Sequence, residues 1–227
     1  MAMQTANQSI PPLEDGDRLD ADEFRRRLDA MPEKTKAELI NGIVYLNRLA
    51  GDCRSGQLRS MLGGWLFIYT TRTPGVGSLN HPHVWLVGDH VLQPASVLMI
   101  HEVGDAKFAS PEGVPGVPEL AAEFALGSDS KELHEKLRIY EQFGVGEYIV
   151  WRVYDAAIDW FVLEAGRYRK LAVDAEGVYR SFQFPGLWLD AAGALRDDRA
   201  AVVAGLMRGT ASPEHADFVA KLRPPAP

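Results

Sequence analysis

Residues Val117–Trp151 read VPELAAEFALGSDSKELHEKLRIYEQFGVGEYIVW. Leu120, Ala121, Ala122, Phe124, Ala125 and Leu126 form an apolar run broken only by Glu123. A run of this length, bounded by Pro118 and Gly127, predicts a strand buried on both faces. A carboxylate inside such a strand is costly unless it is paired or binds a cation. Ser128, Asp129 and Ser130 follow as candidate helix caps. Leu133, Leu137 and Tyr140 then repeat at helical spacing, with Ile139 and Phe143 widening the stripe, and Gly144 and Gly146 end it. Glu147–Tyr154 predicts another strand. The unit is therefore strand, helix, strand, with Glu123 inside the first strand and Lys136 on the helix.

Outward from this unit, Arg18–Met31 predicts a helix. Asp20 is its N-cap, Glu23 stands three residues on as in a capping box, Phe24 and Leu28 form its buried stripe, and Pro32 ends it. Lys36–Asn47 predicts a hairpin turning at Asn41-Gly42, with Glu38 in its first strand. Asp52 to about Thr70 is a second helix, closed by Thr73-Pro74-Gly75. Val84–Leu86 and Val91–Ile100 are expected as strands, the latter carrying Pro94 and so marked as an edge, a bulge or a start of pairing. His101–Gly116 is loop-like. Beyond Trp151, Ala157–Glu164 and Tyr168–Val173 predict an antiparallel pair, and Tyr179–Phe184 a further strand. Pro185–Leu189 is expected as an apolar plug, and Ala191–Met207 and Pro213–Leu222 as helices. We expect an α/β (α+β) fold with a central mixed sheet flanked by helices. The expected organisation is a flexible lead-in over 1–17, one domain over 18–190, and a C-terminal helical extension with a Pro-rich tail over 191–227.

The 227 residues suffice for one domain with a sizeable core. A hydrophobic fraction of 46% and a charged fraction of 24% are those of a soluble globular chain. No apolar stretch is long enough to span a bilayer, so no membrane role is expected. One cysteine, Cys53, permits no internal disulfide, and the N-terminus lacks a basic-then-apolar leader pattern; both fit a cytoplasmic setting. A net charge of −7 argues against a non-specific nucleic-acid coat, but not against a nuclease, whose metal site is locally acidic.

A strand carboxylate followed by a helix lysine is, taken alone, most simply a structural ion pair. Its order along the chain adds information: Glu38 on an early strand, then a Pro-containing strand, then Glu123 and Lys136. With the stretches AELINGIVY, LQPASVLMI, VPELAAEF and ELHEKLRIYEQFGVGEYIVW, this order resembles the Uma-two type of endonucleases. These belong to the PD-(D/E)XK, or restriction-endonuclease-like, superfamily. The resemblance runs from about Leu19 to Phe184. It implies hydrolysis of DNA phosphodiesters with Mg²⁺ or Mn²⁺, an oxygen-ligated ion that polarises the phosphate and acidifies a bound water. It implies catalytic roles for Glu123 and Lys136, and a metal-ligand set of Glu38, Glu123 and the backbone carbonyl of Phe124. Glu132, four residues before Lys136, becomes a possible helper. A homodimer is expected by the same analogy, because cutting two strands needs two sites.

One position departs from the pattern. The motif's Pro-Asp reads Pro94-Ala95 here, and a methyl group cannot bind a metal ion. Gln93, Ser96 and Asp89 are the neighbours that might replace the lost ligand, Gln93 sharing the face of Ala95 by the two-residue period and Ser96 pointing the other way. The alternative function is therefore a catalytically inactive nuclease fold acting as a nucleic-acid-binding or protein-interaction module. Elsewhere, His81 and His83 lack a third ligand at metal spacing and read as a loop. Arg48, Arg54 and Arg59 read as a solvated face around the start of the second helix. The five tryptophans lie mostly in apolar runs and read as core.

Overall fold

The computed structural model describes residues 10–32, 35–46, 53–101 and 114–222, with backbone only at 53–55, 115 and 132. Its elements in chain order are α1 (Ala21–Leu28), β1 (Ala37–Ile40), β2 (Ile43–Leu46), α2 (Cys53–Arg72), β3 (Val76–Asn80), β4 (Val84–Leu86), β5 (His90–Leu92) and β6 (Ser96–Ile100). There follow β7 (Val114–Pro115), β8 (Leu120–Ala125), a π-helical turn (Glu132–Lys136), α3 (Leu137–Phe143), β9 (Glu147–Arg152), β10 (Ala157–Glu164) and β11 (Arg167–Lys170). The chain closes with β12 (Val178–Arg180), β13 (Trp188–Asp190), α4 (Ala191–Leu195), α5 (Arg199–Thr210) and α6 (Pro213–Leu222). It divides into two compact units, one of residues 1–50 and 85–93, the other of residues 51–84 and 94–227. The expected lead-in over 1–9, the loop over 102–113 and the tail over 223–227 lie outside the described residues.

In the first unit the strand order is β2-β1-β5-β4. The hairpin turns where expected, because Asn41 and Gly42 both adopt positive φ, 52° and 73°, as a two-residue turn between twisted strands requires. Asp20 caps α1 by accepting from the Glu23 amide at 2.8 Å. Helix α1 is shorter than predicted because Arg18 bridges to Ile43 instead of coiling. Phe24, wholly buried, meets Trp85 edge to face at 6.3 Å, and the Arg25 guanidinium covers that indole at 4.1 Å. Part of the expected flexible lead-in is packed. Leu13 is 2% exposed, and Gly16 donates to the Val44 carbonyl at 2.8 Å, so an apolar anchor and a backbone bond hold this segment on the hairpin.

The second unit is built on a six-stranded mixed sheet, β11-β10-β9-β8-β6-β3. Strands β8 and β9 pair in parallel through the α3 crossover, and the other neighbours are antiparallel. Helix α2 covers one face: Leu58, Met61, Leu62, Trp65, Leu66 and Tyr69 share a core with Leu98, Leu120, Ala122, Ile149 and Trp151. On α3, Tyr140 packs against Tyr148 of β9 at 4.7 Å. Strand β3 was not foreseen; it pairs with β6 from Val76↔Ile100 to Asn80↔Ser96. The single strand expected over 91–100 is two, β5 and β6, parted at Gln93-Pro94-Ala95, because proline has no N–H for a ladder. Leu187 and Leu189 of the expected plug are buried in this core, and its last two residues, Trp188 and Leu189, open strand β13, which pairs with β12. The carbonyls of Trp188 and Pro185 accept from Trp65 Nε1 and the Tyr69 hydroxyl, both at 3.0 Å. Val202 and Leu206 of α5 belong to this same core.

Candidate active site

Every residue of β8 is buried, as its apolar run dictates. Glu123 is 5% exposed and Lys136 1%, and Lys136 Nζ donates to Glu123 Oε1 at 2.9 Å. The ion pair expected from sequence is thus formed and sealed from water. Lys136 is delivered by a π-helical turn rather than by regular α-helix, a local widening frequent at functional sites. None of the candidate caps Ser128, Asp129 and Ser130 caps this helix through a side chain; the N-cap position is Lys131, and Leu133 bonds the Ser130 carbonyl at 3.2 Å. The side chain of Glu132, the possible helper, lies outside the described residues.

The ladder around Glu123 defines its neighbours. Val153 donates to Ala125 O, and Glu147 to Glu119 O, both at 2.9 Å, so odd-numbered residues of this strand bond β9 and even-numbered ones face β6. Antiparallel pairing with β6 runs from Leu98↔Leu120 to Ser96↔Ala122. The pairing ends at Ser96↔Ala122; Ala95 lies one residue before Ser96 and Glu123 one residue after Ala122.

Ala95 borders a cleft of about 220 Å³ lined by Arg59, Ser60, Asn80, His81, Ala95, Ser96 and Phe124. Ser96 Oγ donates to Asn80 Oδ1 at 2.7 Å. The Arg59 guanidinium lies 5.6 Å from the centre of the Phe124 ring, and that ring packs against Trp151 at 5.9 Å. Ser96, expected to point away from Ala95, lines the same cleft; the strand starts at Ser96, so its two-residue alternation does not extend back to Ala95. His81, read as a loop residue, holds φ at 53° and donates its amide to Ala95 O at 3.1 Å. Arg59, read as part of a solvated face, is half-buried at this cleft. Arg48 and the side chains of Cys53 and Arg54 lie outside the described residues.

Glu38 belongs to the first unit, where it is 5% exposed and its Oε1 accepts from the Gln93 amide at 2.7 Å. Asp89, a candidate substitute ligand, accepts from the Ala21 amide at 3.3 Å in that same unit. Among the described residues no three His, Cys, Asp or Glu side chains come together as a metal would need. Among the described residues of the second unit, the Glu123 carboxylate is paired with Lys136 and position 95 supplies a methyl group. A hard divalent cation takes several oxygen ligands, and the described residues do not fit one.

The mixed sheet, its flanking helices and the buried acid–lysine pair define a nuclease-like fold. A crystal structure of a "putative nuclease belonging to DUF820" from Anabaena variabilis ATCC 29413 superposes with a TM-score of 0.55 at 8% identity, covering 80% of this chain and 98% of that one. A family model described as "Putative restriction endonuclease" (Uma2) matches residues 21–192. The chain belongs to the Uma2 family. No curated protein matches it.

Proposed function

We propose that this protein is a DNA-directed member of the Uma2 nuclease family that keeps half of a phosphodiesterase centre and lacks the other half. What carries this reading is the methyl group of Ala95 where the family motif has its aspartate, together with the buried Glu123–Lys136 pair. Glu123 and Lys136 are retained although a buried ion pair is a poor source of stability compared with apolar packing. The metal-binding carboxylate of the motif is absent. In this state Glu123 serves to hold the Lys136 ammonium at one place in a dry site, and hydrolysis is not supported. A second reading, a Mg²⁺- or Mn²⁺-dependent endonuclease with a rearranged ligand set, is favoured by the buried Glu123–Lys136 pair, the acid and lysine that such a centre uses.

A plasmid-nicking assay in Mg²⁺ and in Mn²⁺ separates the two. We expect the protein to leave supercoiled plasmid intact, Ala95→Asp to nick it, and Lys136→Ala on that background to lower the nicking rate about 100-fold, the scale for removing one group that stabilises charge in the transition state. Nicking by the unaltered protein that Lys136→Ala abolishes would establish the second reading instead. Absence of nicking by Ala95→Asp, with the protein folded, would show that the retained pair is structural.

A further inference from the structure

We propose that the cleft at Ala95 binds a phosphate group directly, with Arg59 as its charged contact and without a metal ion. This inference rests on the nuclease-family reading and concerns what the site does once the carboxylate is gone.

A carboxylate at position 95 would make this cleft attractive to cations. With alanine there, none of the described lining residues is Asp or Glu. The neighbouring carboxylate, Glu123, is buried and carries its countercharge on Lys136 at 2.9 Å. The remaining charge is that of Arg59. Among the described residues this guanidinium makes no ion pair; it lies over the face of Phe124. Stacking on an aromatic ring holds a guanidinium in place while leaving its edge donors available, and the planar fork matches a phosphate's oxygens.

Neutral donors surround it. The Ser96 hydroxyl proton goes to Asn80 Oδ1 at 2.7 Å, which fixes the amide so that its NH₂ end remains a donor. The Ser60 side chain, exposed on α2, adds a hydroxyl at the rim. At about 220 Å³ the cleft lies below the roughly 300–1,000 Å³ typical of small-molecule pockets, so it suits a phosphate group rather than a whole nucleotide. Among the described residues, a cation, two kinds of neutral donor and no acid form an anion site.

The test is titration of the full chain in EDTA with inorganic phosphate, and separately with a short single-stranded oligonucleotide over a salt series. We expect saturable phosphate binding. Arg59→Gln should weaken it about tenfold or more and lower the salt slope for the oligonucleotide by about one. Arg59→Lys should keep most of the affinity. Ala95→Asp should weaken phosphate binding in EDTA at least as much as Arg59→Gln, by placing like charge against the ligand. Competition between phosphate and oligonucleotide identifies the ligand as nucleic acid; binding of phosphate without oligonucleotide identifies a free phosphate. Either result upholds the site. No saturable phosphate binding, or unchanged affinity in folded Arg59→Gln or Ala95→Asp, overturns it. Plasmid nicking by the unaltered protein would overturn the idle-centre reading and leave this titration unaffected.

Discussion

Lys136 and Glu123 lie thirteen residues apart in sequence and meet at 2.9 Å, with 2% and 7% of their side-chain surface exposed. Both lie out of reach of bulk solvent, so removing one partner takes away an ion pair that stabilises the other's charge. Changing one partner alone, as Lys136→Met or Glu123→Leu, is expected to lower the unfolding free energy by about 3–5 kcal/mol. The double replacement should cost less than either single one. Denaturant midpoints for the four proteins of this cycle supply the measurement. Single changes that cost less than about 1 kcal/mol would mean that water reaches the pair.

Glu147 is a second buried carboxylate, fully enclosed at the start of β9. Its Oε2 accepts from Trp160 Nε1 at 3.0 Å and Ser181 Oγ at 2.8 Å; its Oε1 accepts from the amides of Phe182 at 2.6 Å and Gln183 at 2.9 Å. All four contacts require an acceptor. Glu147→Gln puts an NH₂ group against one pair of donors, so it should destabilise by about 2–3 kcal/mol, more than Ser181→Ala at about 1 kcal/mol. Equal stability of Glu147→Gln and the unaltered chain in urea would refute this account of the 181–184 turn.

Stability should also depend on His215. Its Nε2 lies 3.0 Å from Thr73 Oγ1, and that hydroxyl donates to the Tyr69 carbonyl at 2.8 Å, so the imidazole donates from Nε2. Burial lowers its pKa from 6.5, with the Arg72 charge adding to the effect and a bond to the Thr210 backbone opposing it. The unfolded chain therefore takes up a proton before the folded one. The contribution of His215 is present above about pH 6.5 and is lost as the pH falls below it. The thermal midpoint should drop between pH 7.5 and pH 5, and His215→Gln should flatten that drop. A profile unchanged by the substitution would remove His215 as its cause.

The β8–α3–β9 unit was legible because a doubly buried strand and a helical stripe have different periods, and Glu123 and Lys136 stood out as charges within them. Strand β3 was not, since Val76-Gly77-Ser78-Leu79-Asn80 carries a weak strand pattern and gains its place by pairing with β6. Nor was the π-helical turn, because Glu132–Lys136 contains nothing that disfavours regular α-helix. The cleft depends on tertiary approach. Arg59 meets Phe124 from 65 positions away, and no local pattern distinguishes such an arginine from its solvated neighbours. Glu147 and His215 were likewise unremarked, because their burial comes from the 181–184 turn and the packing of α6.

The space in front of Ala95 bears on how the protein changes over time. Ala95 is 7% exposed and belongs to the core of the second unit while also lining the cleft, so an aspartate there would set its carboxylate partly against packed apolar side chains. That carries a cost in stability that alanine does not. Replacing an acid by alanine at this position is thus easier for the fold than the reverse step, and the change favours its own persistence.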